Sequence, residues 1–268
     1  QDRDPQLDKK SSHLLLLAEN DTGYSNLLKI ASAAQLDGMY YYPRIDHDFL
    51  AAHSEGLIAS SGCMAAEIPT ALLKEKPEEA VRRIDWYYDV FGPDRFFLEL
   101  QQHDFPEILD LNRKLVEVGA RYSAKYIATN DVHYIEPEDY QYQDIMLAIQ
   151  TGCLLSDPNR MRMTDDSYYL RTPVEMNALF AEVPEALSNT HLIAERCNVD
   201  LDPKGYHLPK FDVPEGQTAD SYLRALCEEG LGVRYGERAA RDEIRQRLDY
   251  ELGVIHTMGF DTYFLIVW

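Results

Sequence analysis

The chain has 268 residues and a formal net charge of −20, from 26 basic against 46 acidic side chains. Hydrophobic residues make up 45% and charged residues 27%, a globular balance that excludes a disordered chain. So acidic a chain has no surplus of Lys and Arg to neutralise a duplex backbone, and its longest apolar runs, residues 14–18 and 264–268, are far too short to cross a bilayer.

Taken in chain order, short apolar segments alternate with longer amphipathic ones. Residues 14–18 read as a first buried strand, and residues 22–34 as a helix capped by Asn20-Asp21. A second strand falls at 56–60. Residues 77–91 form a helical pattern with Pro early and Gly92 just past its end. A third strand at 96–100, a helix at 106–119 and a fourth strand at 126–129 repeat the alternation, which predicts parallel β/α units. Beyond about residue 135 the chain turns mainly helical: 137–150, 173–180 and 184–197 read as helices, with a short strand at 168–171. The stretch 201–215 carries Pro203, Gly205, Pro209 and Pro214 and reads as an inter-domain connection. Helices follow at 219–235 and 239–258; in the second, Ile244, Leu248, Leu252, Ile255 and Met258 share one face. Gln1 is not an initiator Met, and the apolar run 264–268 has no polar cap, so a fragment cut at both ends is expected.

Four cysteines, Cys63, Cys153, Cys197 and Cys227, form no CxxC pair, which points to a reducing cytoplasm. No signal peptide is visible. The segment 129–134, Thr-Asn-Asp-Val-His-Tyr, follows the fourth strand. In extended chain, Asp131 and His133 point the same way and present a carboxylate and an imidazole together, at the strand end where barrel active sites form. Both side chains ligate Zn, Mn or Fe, although on the residues alone a polar loop pair is the plainer reading. Cys63 lies just past the second strand after Gly62, where a thiolate ligand competes with a small buried apolar residue; the apolar reading holds for the other three cysteines. His13 precedes Leu14 and by itself reads as a boundary histidine. It stands at the start of its strand, whereas Cys63, Asp131 and His133 follow theirs. His103 follows the third strand and either lines the same mouth or serves only its loop. His47, His53, His191, His207 and His256 read as solvated. There is no GxxxxGK[ST], GxGxxG or HExxH motif.

These residues resemble a known family. The runs His13–Asn20, Gly56–Cys63, Phe97–Gln101 and Ala128–Tyr134 are similar to the alpha subunits of bacterial DNA polymerase III, the C-family replicative polymerases. So are Ile149–Gly152, Ser156–Arg160, Ile193–Asn198, Tyr250–Leu252 and Met258–Val267, in family order across nearly the whole chain. The resemblance implies an α/β fold: an incomplete, distorted β/α barrel, the PHP (polymerase and histidinol phosphatase) domain, over 1–205, then the mainly helical start of a polymerase palm over 206–268. It implies metal ligands at His13, Cys63, Asp131 and His133, holding Zn, Mn or Fe. The family's remaining ligands, an HxH motif, a second Asp/His motif and a Glu, would lie before Gln1. The polymerase carboxylates, with their Mg, would lie beyond Trp268, so this stretch alone is expected to extend no primer. The parent is expected to be a cytoplasmic DNA polymerase acting on DNA and dNTPs, with a proofreading exonuclease and a sliding clamp as partners and no membrane. Its PHP domain is read as a metal-dependent phosphoesterase-like module, such as a 3′–5′ exonuclease. The alternatives are a stand-alone PHP phosphatase of the histidinol-phosphatase type and a metal-free scaffold.

Overall fold

In the computed structural model, residues 11–202 and 209–268 are described. The expected domain boundary at 205/206 and His207 therefore lie outside the described residues. The chain divides into two compact units at Asp200–Leu201.

In the first unit, β1 (Leu15–Ala18) leads into α1 (Asp21–Leu36). The start of α1 is fixed by Asn20, whose side chain accepts from the Gly23 amide at 3.0 Å. Next come α2 (His47–Ala52), β2 (Leu57–Ser60), α3 (Glu67–Leu73) and α4 (Pro77–Phe91). Then follow β3 (Phe96–Gln101), α5 (Pro106–Gly119), β4 (Tyr126–Thr129), a 3₁₀ turn at Pro137–Asp139 and α6 (Tyr140–Thr151). Two further helices, α7 (Pro173–Leu179) and α8 (Glu185–Arg196), complete the unit. The region read as a strand at 168–171 forms only a single bridge, between Tyr134 and Tyr169.

The strands form one mixed sheet in the order β1-β2-β3-β4. β2, β3 and β4 are parallel, as the alternation predicts, but β1 is antiparallel to β2, with Leu15 opposite Ser60 and Ala18 opposite Leu57. The reason lies where β1 ends. The Glu19 amide donates to the Gly56 carbonyl at 2.8 Å, so the chain leaves β1 beside the entry to β2. Gly56 takes φ +70°, and a Cβ on Gly23 would stand 1.9 Å from the Gly56 carbonyl oxygen. Only glycine at both positions lets the first turn of α1 sit on this bend.

Side chains alternate across the sheet. One face carries Leu57, Ala59, Phe96, Leu98, Leu100, Tyr126 and Ala128 into the main core, packed by Ile68, Ile84, Phe91, Leu111 and Leu115 from α3, α4 and α5. The other face carries Ile58, Phe97 and Ile127 against Ile193 of α8 and Leu17. Two residues further along each strand this second face turns polar, at Ser60, Glu99 and Thr129.

The second unit holds α9 (Ala219–Tyr235), a 3₁₀ turn at Gly236–Ala240, α10 (Asp242–Thr257) and α11 (Asp261–Val267). Thr218 caps α9 by accepting from the Ser221 amide at 3.2 Å. Leu223, Leu252 and Leu265 form its core, with Leu248 and Ile255 of the expected apolar face of α10 beside them. Ile244 and Met258, which the helical pattern placed on that face, are not part of this cluster, and Met258 is largely exposed. Among the described residues no helix is long and apolar enough to cross a membrane.

Candidate metal centre

The polar end of the second sheet face is built around Glu99. This carboxylate is 5% exposed in the middle of an otherwise apolar strand. Its oxygens accept from Ser60 Oγ at 2.5 Å, Thr129 Oγ1 at 2.6 Å and Gln101 Nε2 at 3.2 Å, and its amide donates to Ser61 Oγ at 2.8 Å. A buried carboxylate without such donors would be prohibitively costly. Satisfied, it ties β2, β3 and β4 together just below the rim where they end. Sequence reasoning passed over Glu99, yet a lone acid in an apolar strand, in step with Ser60 and Thr129, was a usable signal.

The antiparallel pairing of β1 explains the position of His13. Its strand begins where β2 ends, so His13 reaches the same rim as the residues that follow β2. The His13 amide donates to the Ala65 carbonyl at 3.2 Å, and His13 Nδ1 lies 3.3 Å from Cys63 Sγ. Histidine before its strand and cysteine after its own are brought into contact.

On the far side of β3, Asp131 Oδ1 is 3.5 Å from His133 Nε2. Asp131 has φ +46°, a left-handed backbone that Asp tolerates better than most residues. The loop is held from outside: the His133 amide donates to the Tyr168 carbonyl at 2.9 Å, and Asn130 Nδ2 to the Tyr169 carbonyl at 2.6 Å. His103 sits behind Asp131, 2% exposed, with Nε2 3.8 Å from Asp131 Oδ2. Burial pushes the His103 imidazole below its ordinary pKa range, against the opposing pull of Asp131 and Asp165.

Two donors bound about 2.0–2.3 Å from one tetrahedral ion stand roughly 3.3–3.7 Å apart. The separations within the His13–Cys63 and Asp131–His133 pairs fall in that range, and thiolate, imidazole and carboxylate suit Zn, Mn or Fe. The rim also keeps buried polar atoms without partners: His103 Nε2, Asn130 Oδ1 and Asp165 Oδ2. The residues present thus fit a metal ion as two half-sites. They do not close into one, because the only described group of three donors lying mutually within 4.8 Å is Asp220, His256 and Asp261 in the second unit.

Of the histidines read as solvated, His47 belongs to a polar network instead. Its Nε2 lies 2.9 Å from Glu67 Oε1, which also accepts from Tyr87 OH at 2.7 Å, while Arg83 pairs with Glu67 Oε2 at 2.9 Å. Burial raises the Glu67 pKa, but the bonds from His47 and Tyr87 and the charge of Arg83 outweigh it and hold the carboxyl below its usual range. This network and His13 line a cleft of about 620 Å³. His256 is not isolated either, standing 3.0 Å from Asp261 Oδ2. All four cysteines are free and half-buried; Cys197 and Cys227 pack beside apolar clusters.

Residues 2–103 match the PHP domain family, and residues 221–268 match the bacterial DNA polymerase III alpha NTPase domain. The class is therefore a PHP-domain chain that continues into polymerase sequence. The chain is 43% identical to the DNA polymerase III subunit alpha of Treponema pallidum, covering 96% of the chain and 22% of that relative. It is 44% identical to that of Borreliella burgdorferi, with 98% and 23% covered, and 38% identical to that of Thermus aquaticus, with 97% and 26% covered. Nearly the whole chain is thus similar to bacterial DNA polymerase III alpha subunits, and it spans about a quarter of the length of the curated relatives it matches.

Proposed function

We propose that this chain is the PHP region and the beginning of the polymerase region of a template-directed DNA polymerase. The observation that supports this most strongly is the identity to alpha subunits along 96–98% of the chain, through both units. A stand-alone PHP phosphatase is disfavoured by the match that continues over residues 221–268. The whole enzyme would act on DNA and dNTPs in the cytoplasm with Mg at its palm, alongside a proofreading exonuclease and a sliding clamp. The four described strands would be one arc of a distorted β/α barrel, its remaining strands supplied outside the described residues.

At the rim, His13 and Cys63 would hold one side of a divalent site, and Asp131 and His133 the other. With Zn, Mn or Fe bound, the chemistry supplied is polarisation of a phosphoryl oxygen and activation of water, as a phosphoesterase or 3′–5′ exonuclease needs. The chain's own part is to place the donors. Cys63 gives a soft ligand, Asp131 a charge-compensating one, and Glu99 fixes the strands that carry them.

Metal analysis of the full native protein tests this. Asp131→Asn and Cys63→Ser should each lower bound Zn, Mn or Fe, and unchanged metal content would remove the assignment. A metal-free scaffold is the second reading, favoured by the lack of a three-donor group at the rim among the described residues. Metal-free native protein with full polymerase activity would establish it.

A further inference from the structure

We propose that His103 is a positioning residue that holds the Asp131 carboxylate in its metal-binding orientation. The inference rests on the reading of Asp131 and His133 as ligands and adds to it a group outside the ligand set. His103 is 2% exposed, and its Nε2 is buried with no hydrogen-bond partner. A buried polar atom left unmatched in a native fold calls for an explanation.

The ring is fixed on its other sides. Nδ1 is 2.9 Å from Ser167 Oγ, and the ring stacks on Tyr168 with centroids 3.9 Å apart and planes at 20°. Arg171 Nη1 donates to the carbonyl of the neighbouring Gln102 at 2.7 Å and pins that loop. With the Ser167 hydroxyl on Nδ1, the open position is Nε2, and it faces Asp131 Oδ2 at 3.8 Å. The opposite oxygen, Oδ1, faces His133. Asp131 is 41% exposed, and among the described residues these two imidazoles are the only partners of its carboxylate. The carboxylate lies between two imidazoles, one on the solvent side and one in the protein.

A direct ligand role for His103 fits less well. Donors on one ion at about 2.0–2.3 Å stand at most roughly 4.6 Å apart. No choice of atoms brings His103, Asp131 and His133 all within 4.8 Å of one another. His103 is therefore placed behind the ligand, where a ring N–H orients the carboxylate and leaves the other oxygen for the ion. The plain alternative is a histidine that only fills its loop core; it predicts no link between this ring and metal affinity.

The test is the affinity of the full native protein for Mn²⁺, read by electron paramagnetic resonance, with thermal melting as the fold control. His103→Leu should weaken Mn²⁺ binding by roughly 10- to 100-fold. His103→Gln, which offers an N–H near the position of Nε2, should recover most of that loss. Equal weakening in both variants at unchanged melting temperature would overturn the role, as would no weakening in either. If His103→Leu melts early, Ser167→Ala decides, since loosening the ring should still weaken binding and an unchanged affinity overturns the role. Asp131→Asn separates the two levels. If it loses Mn²⁺ while His103→Leu does not, only the positioning role falls; if it keeps Mn²⁺, the ligand reading falls and takes this inference with it.

Discussion

Glu99 and His103 stand four residues apart on one strand and its exit, and both are buried, at 5% and 2% exposure. The belt around Glu99 and the rim around His103 nevertheless differ in kind. Every Glu99 oxygen is met by a donor from its own or a neighbouring strand. His103 Nε2 has no hydrogen-bond partner and stands 3.8 Å from the Asp131 carboxylate, and Asn130 and Asp165 add further unmatched atoms. Burial alone therefore does not mark a functional group. The belt is polar and fully hydrogen-bonded, which is what structural scaffolding requires; the rim is polar and keeps buried atoms without partners.

The largest expected effect breaks the belt. Glu99→Ala strands the Ser60, Thr129 and Gln101 donors and should cost about 3 kcal/mol or more, measured by urea unfolding. A loss near zero would erase the distinction between belt and rim. Asp131→Asn should sharpen it. Asn accepts the same left-handed backbone and the site is exposed, so stability should change by less than about 1 kcal/mol while metal binding falls.

A smaller effect concerns pH. The folded-state pKa of Glu67 lies below its ordinary value near 4.5, so its ionised form stabilises the fold above that pH. That contribution is lost as pH falls below about 4.5 and through the lower folded value, and Glu67→Gln should flatten this part of the stability profile. An unchanged acid limb in the variant would show that the His47–Glu67–Tyr87 network contributes nothing at equilibrium.

Much of this fold was legible in the sequence. The four strands and the longer helices fall close to where apolar runs, Pro at helix starts and Gly at helix ends place them. The short helices α2, α3 and α11 were not read, because six or seven residues span less than two helical turns and carry little periodicity. Strand direction was not legible either. Nothing in residues 14–18 encodes that β1 runs against β2; that follows from the fit of Gly23 onto Gly56, a contact across 33 positions. The same contact accounts for His13, which seemed to stand at the wrong end of its strand until the pairing turned that end toward Cys63. The Asp131–His133 pair was expected from strand alternation; the side chains do meet, but β4 ends at Thr129 and Asp131 has φ +46°, so a left-handed turn and not extended chain brings them together. Their neighbour His103 was not separable from an ordinary loop histidine. Only burial and the unmatched Nε2 distinguish it, and both are properties of packing.

The central claim is that the rim donors hold a divalent ion, and anomalous X-ray scattering from crystals of the full native protein grown with Mn²⁺ tests it most directly. The account predicts anomalous density within about 2.0–2.3 Å of the Asp131 and His133 donors, with His13 and Cys63 facing the same ion cluster. A rim without anomalous density, or density only at Asp220, His256 and Asp261, would contradict it.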